Sequence, residues 1–347
     1  MTEPFAARSA PLAVTMGEPA GIGGELTLKA WLARRAMAST RPFVALDDPD
    51  RLAGIARALA LDVPLRVVSS VGEAAGVFAV ALPVLPVPLA VASVAGRLDP
   101  ANAAPVIASI ERAVALSLAG EVAGLVTNPI QKKTLQQAGF RHPGHTEFIA
   151  ELCGADGRPA EVAMLLAGAG LRVVPVTIHL ALRRAIEVLD TAIIVRAGKI
   201  AADALRRDFG IVDPRLAVAG LNPHAGEGGT MGEEDESIVA PAVALLRDAG
   251  IDARGPLPPD TMFHAQARAT YDLALCMYHD QALIPLKTID FAGGVNVTIG
   301  LPIVRTSPDH GTALDIAGRG VADTTSFLAA LDLAGAMAER RAVRVTT

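Results

Sequence analysis

Three histidines, His179, His224 and His279, each follow a short apolar run of the kind that forms a buried strand: Val173 to Ile178, Leu216 to Pro223, and Leu273 to Tyr278. In open α/β sheets ligands bind beyond the carboxyl ends of the strands, so three imidazoles delivered to that edge are a candidate ligand set for one metal ion. Any one of them alone reads as an ordinary strand-end histidine held by local hydrogen bonds. Their shared context, with the polar companions Asn222-Pro223-His224-Ala225-Gly226 and Tyr278-His279-Asp280-Gln281, favours the metal. Three histidines leave coordination positions open to a substrate, and imidazole nitrogens suit Zn, Co and Ni while an open site also admits Mg or Mn.

A second group reads as anion-binding. Gly144-His145-Thr146-Glu147 opens a helix, whose free N–H groups together with His145 and Thr146 could hold a phosphate; the plain alternative is Thr146 as helix N-cap. Lys287, Asn296 and Arg305 stand in or beside apolar stretches where a solvated charge is out of place, so Lys287 and Arg305 are candidate anion receptors, unless Asp290 or Asp309 pairs with them. Lys132-Lys133 and Glu233-Glu234-Asp235-Glu236 read instead as solvated helix surface. The loop Gly17 to Gly24 has only a loose GxGxxG spacing and lacks the Lys-Ser/Thr of a P-loop, so it reads as a tight strand-to-helix turn.

The elements that must position these residues alternate in βαβα order: strand Pro11 to Met16, helix Glu25 to Ala38, strand Pro42 to Leu46, helix Pro49 to Ala60, strand Pro64 to Val68, helix Ala101 to Leu118, strand Ala123 to Thr127. Glu161 to Ala167 and Arg172 to Ile178, joined through Gly168-Ala169-Gly170, read as a hairpin that brings an antiparallel element into the sheet. Helices Thr191 to Arg206 and Glu233 to Ala249 frame the strand before His224; Val295 to Ile299 is a strand and Thr324 to Glu339 a closing helix. The expected fold is α/β with a mixed sheet and two domains: residues 1–128 with 300–347, and 129–299.

Composition narrows the function. The 347 residues suffice for two domains, and an apolar content of 51% with nine Phe, two Tyr and one Trp describes an alanine-packed, helix-rich protein. Few aromatics and a net charge of −5 argue against a nucleic-acid or anionic-membrane partner. Mean hydropathy is +0.40, but the most apolar stretch, Val77 to Gly96, holds Pro83, Pro86 and Pro88, which would break a spanning helix. Met1 to Pro11 carries Glu3 and Arg8 and lacks a signal-peptide core, so the expectation is a cytoplasmic protein. Cys153 and Cys276 show no CxxC spacing and read as reduced, buried thiols.

The phrase Ser307-Pro308-Asp309-His310-Gly311-Thr312-Ala313-Leu314-Asp315-Ile316-Ala317-Gly318-Arg319-Gly320 resembles the adenosine-side loop of isocitrate and isopropylmalate dehydrogenases. That likeness implies NAD or NADP as cofactor, with His310, Gly311, Thr312 and Asp315 as its contacts. Nearly the whole chain resembles the 4-hydroxythreonine-4-phosphate dehydrogenases of pyridoxal phosphate biosynthesis. The ordered phrases that carry the likeness are Gly17 to Gly24, Pro143-Gly144-His145-Thr146-Glu147-Phe148, Thr177-Ile178-His179-Leu180, Leu221-Asn222-Pro223-His224-Ala225-Gly226-Glu227, Gly255 to Thr261, Tyr278-His279-Asp280-Gln281 and Arg305 to Thr312. The first loop departs slightly, with Glu18 where Asp is expected and Gly24 where Pro is common. The resemblance implies a divalent cation on His179, His224 and His279, and substrate contacts at His145, Thr146, Lys287, Asn296 and Arg305. It also implies a three-layer α/β/α, isocitrate/isopropylmalate dehydrogenase-like fold with two domains around a central cleft, and a homodimer whose metal ligands come from both subunits, acting on a small phosphorylated amino acid. Asp260, Lys287 and a metal-bound water are the candidates for the base. Related dehydrogenases of threonate or erythronate 4-phosphate or of aromatic dihydrodiols, and a three-histidine metallohydrolase, are the alternatives.

Overall fold

Apolar runs of three to six residues bury themselves only side by side, and the computed structural model, which describes residues 10–37 and 40–344, arranges them as two α/β units. Residues up to Ala160 together with those from Leu301 on form one compact unit, and Glu161–Gly300 forms the other. The segment 129–160, which the sequence reading placed in the second domain, belongs to the first because the helix His145–Leu152 packs on Ala103–Leu118. The expected absence of a signal segment in residues 1–9 and the expected helix end at Ala38 lie outside the described residues.

In the first unit β1 (Leu12–Thr15), β2 (Phe43–Asp47), β3 (Leu65–Val67), β4 (Leu82–Pro86), β5 (Gly124–Val126) and β12 (Arg305–Pro308) are all parallel, in the order β3-β4-β2-β1-β5-β12. Such strands are covered on both faces, and β1, β2 and β5 are buried at every residue. The helices are α1 (Gly23–Arg34), α2 (Pro49–Ala58), α3 (Ala103–Leu118), α4 (Lys132–Gln137), α5 (His145–Leu152) and, from the far end of the chain, α10 (Thr325–Arg344). The Asp48 carboxylate caps α2 by accepting from the Asp50 and Arg51 N–H groups, with Pro49 at the first helical position. β4 was hidden by its prolines. Pro83 lies opposite Arg66 of β3 and Pro86 opposite Asp47 of β2. Leu82 N–H donates on the β3 side and Val87 N–H on the β2 side, so the nitrogen of Pro83 faces β2 before that ladder begins at Val84, and the nitrogen of Pro86 faces β3 after that ladder ends at Val84.

The second unit is the mixed one. β6 (Ala163–Gly168), β7 (Leu171–Pro175), β8 (Arg215–Ala219), β9 (Asp252–Leu257), β10 (Leu273–Cys276) and β11 (Val295–Ile299) lie in the order β11-β6-β7-β10-β8-β9. β6 is antiparallel to both neighbours, and the other pairs are parallel. The hairpin turns on Ala169 and Gly170, both at positive φ, the backbone of a twisted two-residue turn. Around the sheet lie α6 (Leu182–Val188), α7 (Thr191–Asp208), α8 (Ala240–Asp248) and α9 (His279–Ile289). Leu166, Val173, Ala217, Cys276 and Leu286 share one buried cluster, where a Leu→Ala change costs about 2–5 kcal/mol. The single helix expected over Glu233 to Ala249 is a π turn, Asp235–Val239, leading into α8, because Pro241 in the first turn of α8 has no N–H for an ordinary i→i−4 bond.

Both cysteines are free and buried, and burial pushes the Cys153 thiol up to about 11. Among the described residues no helix is long and apolar enough to cross a membrane.

Candidate active site

The three strand-end histidines belong to three neighbouring parallel strands, β7, β10 and β8, and so leave the sheet of the second unit at one edge. Beyond β7 and β10 the two chains stay paired: Val176 N–H donates to Cys276 O at 2.7 Å, and the Thr177 hydroxyl donates to Met277 O at 2.8 Å. This brings His179 and His279 together, with ring centroids 5.8 Å apart. His179 sits at φ 53°, in the left-handed region that non-glycine residues enter only when their surroundings hold them there. His279 is the first residue of α9, and its Nδ1 lies 2.7 Å from Asp280 Oδ1. A carboxylate behind one ring nitrogen is the arrangement that orients the other toward a metal. Thr177, Tyr278 and Asp280 line, with both histidines, a cavity of about 230 Å³.

His224 follows β8 in the turn Pro223–Gly226 and is also left-handed, at φ 54°. The loop is held from behind by Asp235. Its fully buried carboxylate accepts from Leu221 N–H at 2.7 Å and Asn222 N–H at 3.0 Å, while the Asn222 amide donates to Glu234 at 2.9 Å. The acidic run read as solvated helix surface is therefore, at Asp235 and Glu234, the support of the His224 loop. Gln281 ties the same region to β10, accepting from Met277 N–H and donating to Gly220 O, each at 2.7 Å. His224 does not join the His179–His279 cavity, and among the described residues no three His, Cys, Asp or Glu side chains gather closely enough to hold a metal ion. The donor chemistry of this chain fits a cation at the His179–His279 pair as two ligands of a larger set.

Asp260 lies exposed in the turn Pro259–Thr261, which contacts the His224 turn. Lys287 stands in the last turn of α9, about 12 Å along the helix from His279, with Nζ 5.2 Å from the centre of the Phe291 ring. Asn296 projects from β11 opposite Leu166, and its Oδ1 is buried without a hydrogen-bond partner.

In the first unit Arg305 opens β12 and is 3% exposed. Its Nη2 and Nε donate to the Thr127 hydroxyl at 2.7 and 3.2 Å. Burial lowers its pKa to about 10, leaving it a cation at neutral pH, and Glu147 opposes the shift. His145 is the first residue of α5, with Gly144 as N-cap; Thr146 is inside the helix and makes no cap. Burial, then Arg305, then Lys132 hold the His145 imidazole well below its usual value, so it is neutral, and its Nε2 is buried without a partner. A buried guanidinium beside a neutral imidazole with an unfilled nitrogen is chemistry suited to an oxyanion. Lys132, read from sequence as solvated, was missed: a Cβ on Gly144 would lie 3.2 Å from its Cε and 3.5 Å from its Nζ. The signal that could have found it is Gly144 itself, a glycine before the His-Thr pair whose missing side chain makes room for it.

The Gly17 to Gly24 loop is what the sequence suggested, a close turn between β1 and α1. Gly17, at φ 68°, has room for no Cβ, which would come within 2.6 Å of Asn128 Cβ. Glu18 N–H donates to Pro129 O and Ile22 N–H to Thr312 O, so the loop joins the end of β5 to the glycine-punctuated phrase. In that phrase His310 Nδ1 lies 3.0 Å from Gly311 O, while Gly311 and Asp315 are exposed. A cavity of about 560 Å³, lined by Gly21, Glu25, Asp50, Arg51 and Val91 among others, takes only Gly318 from the phrase.

Imidazoles at the carboxyl ends of parallel strands in one unit, and a buried guanidinium beside a neutral imidazole in the other, are features of α/β enzymes that act on small anionic molecules. The family model described as pyridoxal phosphate biosynthetic protein PdxA matches residues 38–334, and the chain belongs to that family. It is 54% identical over 338 residues to the 4-hydroxythreonine-4-phosphate dehydrogenase of Caulobacter vibrioides, covering 96% of this chain and 99% of the relative. The enzyme of the same name from Bradyrhizobium diazoefficiens is 52% identical over 335 residues, 94% of this chain and 97% of the relative. The crystal structure of 4-hydroxythreonine-4-phosphate dehydrogenase from Klebsiella pneumoniae superposes with a TM-score of 0.83 at 39% identity, over 95% of this chain and all of that one.

Proposed function

We propose that the protein is an NAD(P)-dependent dehydrogenase that oxidises 4-phosphooxy-L-threonine at its C3 hydroxyl. Hydride leaves C3 for the nicotinamide and the hydroxyl proton goes to a base, giving 2-amino-3-oxo-4-phosphonooxybutanoate. That product is a β-keto acid and loses CO2 to form 3-amino-2-oxopropyl phosphate. The observation that carries the reading is the buried Arg305 beside a neutral His145, set in a chain related along nearly its full length to enzymes named for this reaction.

Arg305 and the Nε2–H of His145 take the phosphate, with the Thr146 hydroxyl as a third donor. A neutral imidazole donates through one nitrogen without adding charge, so the site remains specific for the geometry of the phosphate oxygens. Lys287 and the unsatisfied Asn296 amide contact the rest of the substrate. The proton acceptor is Asp260, on the turn against the His224 turn, or Lys287 on α9. A divalent cation on His179, His224 and His279 (Zn, Mg, Co or Mn) would supply Lewis acidity to the reacting hydroxyl and orient it. We further propose that the working unit is a homodimer whose metal ligands come from both subunits; only His179 and His279 meet within one chain. NAD or NADP is placed against the His310-Gly311-Thr312 turn and Asp315.

The test is NAD(P) reduction followed side by side with 4-phosphooxy-L-threonine and with the 4-phosphates of threonate and erythronate. The reading expects the amino acid to be the preferred substrate by kcat/KM; preference for either sugar acid would reassign the substrate.

A further inference from the structure

We propose that Lys132 is a phosphate-binding residue of the same site, supplying with Arg305 the positive charge that a phosphate monoester needs. The inference rests on the reading above, that the substrate's phosphate lies against His145 and Arg305. Three observations carry it.

The first is position. Lys132 opens α4, and the turn back to α5 folds its side chain against Gly144, so its Nζ would lie 3.5 Å from a Cβ at that residue, next to His145. The second is availability. Among the described residues Lys132 makes no hydrogen bond or ion pair, whereas Arg305 is committed to Thr127 and Lys29 to Glu25. The third is charge. A phosphate monoester carries about −1.5 to −2 at neutral pH. His145 contributes none, because its surroundings keep it neutral. Glu147 also reaches the Gly144 turn, its Oε2 3.5 Å from the same Cβ position, and it acts on Arg305. Arg305 and Glu147 alone would offer a dianion no net attraction, and Lys132 restores it. A lysine suits this place because its ammonium is a point charge on a flexible stem that can follow the phosphate, while the planar Arg305 fixes its orientation.

The test compares Lys132→Met, Lys132→Arg and Arg305→Met with the parent enzyme, on 4-phosphooxy-L-threonine and on unphosphorylated 4-hydroxy-L-threonine, with inorganic phosphate as competing anion. Loss of one charge-assisted contact predicts a KM for the phosphorylated substrate raised about 10- to 100-fold in Lys132→Met, with kcat within a few-fold. The inhibition constant of inorganic phosphate should rise by the same factor, the unphosphorylated substrate should be unaffected, and Lys132→Arg should recover most of the loss. An Arg305→Met variant that loses phosphate discrimination beside a Lys132→Met variant that keeps it would overturn the role of Lys132 alone. Equal losses on both substrates would make Lys132 structural and overturn it too. A parent enzyme that turns over both substrates equally well would remove the phosphate site and the inference with it.

Discussion

Replacing Asp235 with Asn tests whether the loop that presents His224 is held by one buried carboxylate. Both oxygens of Asp235 accept from backbone N–H groups, and the side chain is wedged between two glycines: a Cβ on Gly220 would fall 2.9 Å from Oδ1 and one on Gly226 3.3 Å from Oδ2. No water can replace what the substitution removes. An amide keeps one acceptor but turns its NH2 group toward the other N–H, so one charge-assisted bond is lost and one buried donor is left unsatisfied, a cost of about 2–4 kcal/mol. For a unit of this size each kcal/mol lowers Tm by about 2–4 °C, so calorimetry should show the transition of the second unit about 5–15 °C lower. Because the freed segment runs directly into His224, metal affinity measured by titration calorimetry should also weaken. An Asp235→Asn protein that melts within about 1 °C of the parent and binds metal equally well would refute the idea that this contact positions His224.

If metal ligands are shared between subunits, mixing and refolding inactive His179→Ala and His224→Ala proteins should return about a quarter of the parent activity, from the one intact site of each mixed dimer; a mixture that stays inactive would mean the ligands come from one chain. His145 is held neutral in the folded protein at a pKa well below its usual 6.5. Below about pH 6.5 the unfolded chain therefore binds a proton the native state resists, and stability falls as pH drops through that window. A His145→Gln variant should lose less stability than the parent between pH 7 and pH 5 in denaturant titrations, and parallel losses would contradict the burial argument.

Much of the fold is legible in residue order because its strands are short and apolar on both faces: β11 falls on Val295–Ile299 as read, and the Ala169–Gly170 turn sits where the glycines placed it. What escaped did so where a local rule was overridden. The prolines of β4 argue against a strand until it is known that they stand where no ladder N–H is needed. Asp235 and Lys132 carry the composition of solvated surface, and only the tertiary path, bringing one under the His224 loop and the other against Gly144, gives them a role. The burial of Arg305 was readable, since a charge within Ile303-Val304-Arg305-Thr306 has no water to meet. That His179 and His279 meet follows from two strand ends that stay paired past their strands, a pairing residue order does not reveal, while His224 lies in a turn of its own.

The proposed reaction turns on hydride transfer from C3 of a phosphorylated hydroxy-amino acid. It is tested most directly with 4-phosphooxy-L-threonine deuterated at C3 and NAD⁺, following absorbance of the reduced nicotinamide and its mass. Reduced nicotinamide carrying one deuterium at C4 is expected, formed one for one with substrate consumed. Release of inorganic phosphate with no nicotinamide reduction would contradict it and make the protein a hydrolase.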